Sequence, residues 1–271
     1  MAIAIKARSG FRQPVDDVAQ YDQWIKRVQA ATGRLYERKE VTTSLGKTQV
    51  WCVNRHSTSA KTLVVFPGAR TSALFWDVDG QLDVFGDARI FLVETNGLPN
   101  ASDGATPDIH GDGWGVWAAE VVSQLGLTQT DVAGASFGGL VAMKLALSAP
   151  ATIKQCFLLN PGCVQRFSLS PRNLYLNLLP IVRPTAAHIR RFLDGAIFCK
   201  PHHACSVEGE QLIVDYELLA LTRYLDQTQK PYDMGKALQG VRCAVHVLLG
   251  DHDSLFPSQR SARRSSRSGC G

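Results

Sequence analysis

Hydrophobic positions change their period along this chain. Between residues 15 and 30, Val15, Val18, Tyr21, Ile25 and Val28 recur at helical spacing, which predicts an amphipathic helix ahead of the main core. The stretches YERKEVTTSL and TQVWCVN then alternate apolar and polar residues around a turn at Gly46 and Lys47, the pattern of an antiparallel hairpin. From there the chain switches to short continuous apolar runs: TLVVF, RIFLVE, TDVAG, KQCFLLN and CAVHVLL. Strands covered on both faces read this way, and helical stretches separate the runs. The expected fold class is therefore α/β, a mostly parallel sheet with flanking helices.

About residues 163–240 separate the fourth run from the fifth, too many for a simple crossover. This insertion holds three predicted helices punctuated by prolines, in PRNLYLNLLP, RPTAAHIRRFLDGAIF and EGEQLIVDYELLALTRYL. It is expected to form a helical cap over one end of the sheet, within a single domain of residues 1–257. Residues 258–271, almost all of them the string RSARRSSRSGCG, carry no apolar period and are expected to form a disordered or out-of-frame basic tail.

That tail also explains the charge. The formal net charge is +5, and Arg260, Arg263, Arg264 and Arg267 supply four of it, so the body is close to neutral. Without a distributed cationic face, no nucleic-acid partner is expected. No apolar run approaches about 18 residues, and the start MAIAIKARSG has too short an apolar segment for a secretory signal. A cytoplasmic protein without a membrane partner follows. Seven scattered cysteines suit reduced thiols better than a disulfide frame. CKPHHAC gathers Cys199, His202, His203 and Cys205, yet the spacing matches no common zinc pattern, so a polar loop is expected, with no metal and no cofactor.

Chemistry concentrates in three places. Gly134-Ala135-Ser136-Phe137-Gly138 is a G-x-S-x-G between a predicted strand and an apolar helix, a context that projects the Ser136 hydroxyl from a sharp turn near a helix N-terminus. The bland reading is a glycine-rich turn with an idle serine. After TLVVF, Pro67-Gly68-Ala69 is small enough to aim a backbone amide at the same place; with the amide of Phe137 it makes a two-donor oxyanion hole, against the plainer reading of a strand-to-helix turn. After CAVHVLL, the string GDHDSLFP puts Asp251 and Asp253 at the C-terminal end of a strand, on the same sheet edge as Ser136.

With these residues in view, the chain resembles α/β-hydrolase-fold enzymes of the esterase and lipase type over residues 36–257. The resemblance implies that Ser136 is a nucleophile, that the amides of Ala69 and Phe137 hold an oxyanion, and that Asp253, the second carboxylate of its loop, orients a histidine. The oxyanion loop departs from the usual His-Gly-x by carrying Pro67. The resemblance also implies a further helix, an eighth strand and a catalytic histidine after the aspartate. All seven histidines precede Asp253, however: His56, His110, His188, His202, His203, His246 and His252. His246 reads as a core or sheet-face residue, and His252 lies too close to the acid to reach both Asp253 and Ser136. His110 is placed to approach the pocket mouth, and His188, His202 and His203 to hang from the cap. The expectation is a chain truncated or read out of frame after about residue 257. It would be a serine hydrolase of carboxylic esters, with a small ester or acyl substrate and impaired turnover. The alternatives are a catalytically silent protein binding a small ligand under its cap, and a protein that docks partners through its basic tail.

Overall fold

The computed structural model describes residues 3–198, 205–251 and 253–256. In chain order the elements are β1 (Ile5–Arg8), β2 (Gly10–Phe11), α1 (Pro14–Thr32), β3 (Glu37–Thr43), β4 (Gly46–Val53) and β5 (Thr62–Phe66). Then follow 3-10 turns within Ala73–Phe85, β6 (Arg89–Val93), β7 (Ala105–Pro107), α2 (Gly113–Gln124), β8 (Thr130–Ala135), α3 (Phe137–Ser148) and β9 (Ile153–Leu159). The last are α4 (Pro171–Val182), α5 (Ala186–Phe192), α6 (Val207–Arg223), β10 (Tyr224–Leu225) and β11 (Ala244–Leu248). Tails 258–271, Cys199, His202, His203 and His252 lie outside the described residues.

The main sheet has seven strands in the order β11-β9-β8-β5-β6-β4-β3. β6, β5, β8, β9 and β11 run parallel, and β4 and β3 are antiparallel additions at one edge. This is a mostly parallel sheet with helices on both faces. The continuous apolar runs are explained by their two customers. Along β5, Val64 and Phe66 face one core, which contains Trp114, Trp117 and Val121 of α2 and Leu140 of α3; Leu63 and Val65 face the other, with Tyr21, Trp24 and Ile25 of α1 and Tyr216 of α6. β4 and β6 divide their residues the same way. A strand with period-2 side chains and a core on each side has no polar position to spare.

Two local expectations differ from the structure. The hairpin reverses at Ser44 and Leu45, and Gly46 pairs with Thr43 as the first residue of β4. Leu45 is drawn into the core, and Gly46 takes φ +99° at a point where a Cβ would meet an Asp103 carboxylate oxygen at 2.2 Å. On α1, Val15 is 85% exposed while Asp17 is fully buried, accepting from the Gln13 N–H at 2.8 Å. The inward face is Asp17, Tyr21, Trp24, Ile25 and Val28, and Val15 points away from it.

Candidate active site

Ser136 is the single residue between β8 and α3, with φ +49° and ψ −107°. Such a conformation in a residue with a Cβ costs about 1–3 kcal/mol and persists only where the surroundings impose it. Here three hydrogen bonds do so. The Ser136 N–H donates to Leu159 O at 3.0 Å, and its carbonyl accepts from the N–H groups of Gly139 (3.1 Å) and Gly162 (3.0 Å). The flanking glycines are required by close packing: a Cβ on Gly134 would lie 2.3 Å from Gly138 O, and one on Gly138 would lie 2.1 Å from Phe66 O. The G-x-S-x-G spacing is thus what lets helix α3 start against the ends of β5 and β8.

The 67–69 loop leaves β5 next to this turn. A Cβ built on Gly68 would sit 3.8 Å from the Ser136 Cβ, and the Gly68 carbonyl is turned away to accept from Thr71, from its hydroxyl at 2.8 Å and its N–H at 3.3 Å. Neither the Ala69 nor the Phe137 N–H donates to any described residue. Phe137 opens α3, where backbone N–H groups have no intrahelical acceptor. One uncommitted donor, Phe137 N–H, thus directly follows the half-buried serine at the positive end of a buried helix, and the other, Ala69 N–H, follows Gly68, which lies beside it.

Asp253 comes to the same sheet edge through β9. Leu159 receives the Ser136 N–H, and the next residue, Asn160, holds the aspartate loop: its N–H donates to Leu248 O at 2.9 Å and its side-chain oxygen accepts from the Gly250 N–H at 2.7 Å. β8, β9 and β11 are adjacent and in step at Ala135, Leu159 and Leu248. Two strand spacings, about 10 Å, hence separate the strand ends that carry Ser136 and Asp253. Asp253 is half-buried and accepts from the N–H groups of Leu255 and Phe256, both at 2.8 Å. Burial raises its carboxyl above the usual range, and those two amides pull against the rise. Asp251 is exposed.

The described histidines are engaged elsewhere. His56 pairs with Glu37 at 3.3 Å beyond the end of β4, at the opposite sheet edge. His110 packs against Tyr232 in a tilted arrangement, with ring centroids 4.2 Å apart. His188 Nδ1 lies 2.8 Å from Arg183 O, and His246 sits on an exposed sheet face, stacked on Phe157 and hydrogen-bonded to Gln155. No described residue hydrogen-bonds to the Ser136 hydroxyl. In a depression of about 580 Å³ at the opposite edge, lined in part by Glu37, Cys52, Arg55, His56 and Asp87, Arg55 and His56 both pair with Glu37.

Glu217 of α6 escaped the sequence reading. It is half-buried, and burial pushes its carboxyl up to about 7, with Arg70, the residue after Ala69, pulling it down. The signal available was an acid embedded in the apolar run LIVDYELLAL. A carboxyl raised in the fold keeps a proton that the unfolded chain loses near about pH 4.3, so it lowers stability as pH rises from there to about 7. Glu217→Gln is expected to stabilise the protein on the order of 1–3 kcal/mol at pH 8, allowing for partial solvent screening, and to change little at pH 4.5. Urea midpoints at the two pH values check this; equal shifts at both would show that ionisation of Glu217 is not the cause.

No family model and no curated protein matches the sequence. Solved structures do match the fold. Carboxylesterase CesB of Bacillus subtilis superposes with a TM-score of 0.72 at 17% identity, over 93% of this chain and 87% of that one. Naproxen esterase (carboxylesterase NP) of Bacillus subtilis gives 0.72 at 20% identity, with the same coverage. Esterase RhEst1 of Rhodococcus sp. ECU1013 gives 0.64 at 17% identity, over 85% and 86%. With the strand order and the serine turn, this places the chain in the α/β-hydrolase fold. Among the described residues no helix is long and apolar enough to cross a membrane.

Proposed function

We propose that the chain is a serine hydrolase of carboxylic esters. The observation that carries the reading is the strained Ser136 turn bordered by the uncommitted N–H groups of Ala69 and Phe137. Ser136 Oγ attacks the ester carbonyl carbon, the two amides stabilise the resulting alkoxide, and the alcohol leaves with a proton; water then releases the carboxylic acid from the acyl-serine. The role left to Asp253 is to orient a histidine that would carry protons between these steps, and no described histidine contacts it. The neighbours that are esterases support this choice of reaction. The helical segment between β9 and β11 is the cap that shapes a small acyl or ester substrate, and the compartment is cytoplasmic.

The Ser136 hydroxyl has no hydrogen-bond partner among the described residues, so turnover is impaired: an unassisted serine is a weak nucleophile at neutral pH. The same observation favours the second reading, a silent protein that binds a small ligand beneath the cap. A fluorophosphonate probe tests the assignment, with slow labelling expected where no base assists the serine. A single adduct mapped to Ser136 is the expected result; adducts confined to other residues would defeat it.

A further inference from the structure

Helix α4 is built inside out. A surface helix of a soluble domain turns its apolar stripe to the core. Here the buried residues are Asn173, Leu176 and Pro180, whereas Leu174, Tyr175, Leu178, Ile181 and Val182 are exposed. At about 100° per residue, the exposed set fills an arc of about 120° directly opposite the buried set. The exposure is substantial: Leu178 leaves 52% and Val182 73% of its surface in solvent. Leu169, just before the helix, adds to it.

The segment that carries this stripe is cationic as far as Asp194. Between residues 161 and 193 the sequence holds five arginines, no lysine, and no aspartate or glutamate. Arg166, Arg172, Arg183 and Arg191 are exposed, and none forms an ion pair with a described residue. Arg172 lies in the first turn of α4 and Arg183 caps its C-terminus, and the Arg191 guanidinium lies 5.3 Å from the centre of the Tyr175 ring.

We propose that the outer face of α4 docks on an anionic lipid surface, with the helix lying in the interfacial plane, its aliphatic residues among the acyl chains and its arginines on the headgroup phosphates. Aliphatic side chains on one face, a cationic border and a tyrosine at the boundary are what such a surface selects. A second copy of the chain is the poorer occupant. In a two-fold dimer the patch would meet itself and bring arginine borders of like charge together. The inference stands apart from the ester-hydrolase reading. It revises the expectation of no membrane partner, because spanning a bilayer and lying on one need different sequences.

Sedimentation of the full chain with lipid vesicles tests the proposal. The chain is expected to bind vesicles containing phosphatidylglycerol at least about tenfold more tightly than pure phosphatidylcholine, and to lose that preference at high salt. Leu178→Asp/Ile181→Asp and, separately, Arg172→Glu/Arg183→Glu should each lower binding about tenfold or more while leaving the circular dichroism spectrum and unfolding midpoint unchanged, since all four side chains face solvent. Equal binding to both vesicle types, or unchanged binding by both folded variants, overturns the proposal. So does a dimer, seen by light scattering, that the Leu178→Asp/Ile181→Asp variant dissociates; that result assigns the face to a second copy. Should the aspartate variant fail to fold, the glutamate variant, which removes no apolar contact, decides the matter.

Discussion

Ser136→Ala is expected to abolish fluorophosphonate labelling while lowering ester turnover by less than about tenfold. The two readouts part because a nucleophile and its base act as a unit: with both engaged, losing the serine costs about 10⁶ in turnover, but losing it from a unit already broken costs little more. In this chain the Ser136 hydroxyl has no partner among the described residues, and His56, His110, His188 and His246 are committed to other contacts. On the proposed reading, what remains is the acceleration from binding and from the Ala69 and Phe137 amides, about 10³ to 10⁴ over water, and alanine at position 136 leaves those donors in place. The probe, in contrast, reports the oxygen itself. Turnover of an activated acetyl ester and probe labelling, measured on the same preparations, make the comparison. A fall in turnover of about 10⁴ or more would show that a base reaches Ser136 and would overturn the impaired-turnover proposal. Labelling that persists in Ser136→Ala would overturn the serine assignment.

The strands were legible because their cause is local. Each of the five apolar runs is a strand of the parallel part of the sheet. In β5 a residue pair such as Val64 and Val65 serves the two cores in turn and leaves a continuous hydrophobic signature, whereas the edge strand β11 buries Val245 and exposes Ala244, His246 and Leu248. The serine turn was legible for a related reason: a Cβ on Gly134 or Gly138 would lie only 2.3 or 2.1 Å from a neighbouring carbonyl oxygen, and glycine records such close approaches directly in the sequence. Features set by distant partners were not legible. The hairpin turn sits at Ser44 and Leu45 because Leu45 is buried and Asp103 crowds Gly46, neither of which local alternation reveals. Asp17 looks like a solvent-facing acid of a first helical turn, yet it is buried near Arg223, over two hundred residues away. The stripe on α4 has ordinary helical periodicity, and periodicity alone does not say which side of a helix meets the core.

Glu94 is the most consequential of the long-range features, and Glu94→Ala is expected to cost more than about 4 kcal/mol of stability. The residue follows β6 and is fully buried. Four donors converge on its carboxylate: the Tyr21 hydroxyl (2.8 Å), the Trp51 indole N–H (3.0 Å), the Ser72 hydroxyl (2.5 Å) and the Ala73 N–H (3.1 Å). Burial pushes the carboxyl up, and the donors of Ser72, Ala73, Tyr21 and Trp51 oppose the shift. Removing the carboxylate strands these buried donors, at about 1–3 kcal/mol for each left unsatisfied, and opens a cavity besides. Glu94→Gln keeps the shape but sets an amide N–H₂ among donors, so an intermediate loss of about 1–3 kcal/mol is expected. The effect extends to the candidate site, because Ser72 directly follows the Gly68 to Thr71 turn beside Ser136 and is held in place by this contact. Glu94→Gln should therefore also slow probe labelling of Ser136 under conditions where the variant is fully folded. Guanidinium unfolding of the three proteins, paired with labelling rates, checks both links. A loss below about 1 kcal/mol in Glu94→Ala would mean that water or neighbouring groups satisfy the four donors unaided. Unchanged labelling in folded Glu94→Gln would mean that the loop beside Ser136 holds its geometry without the carboxylate.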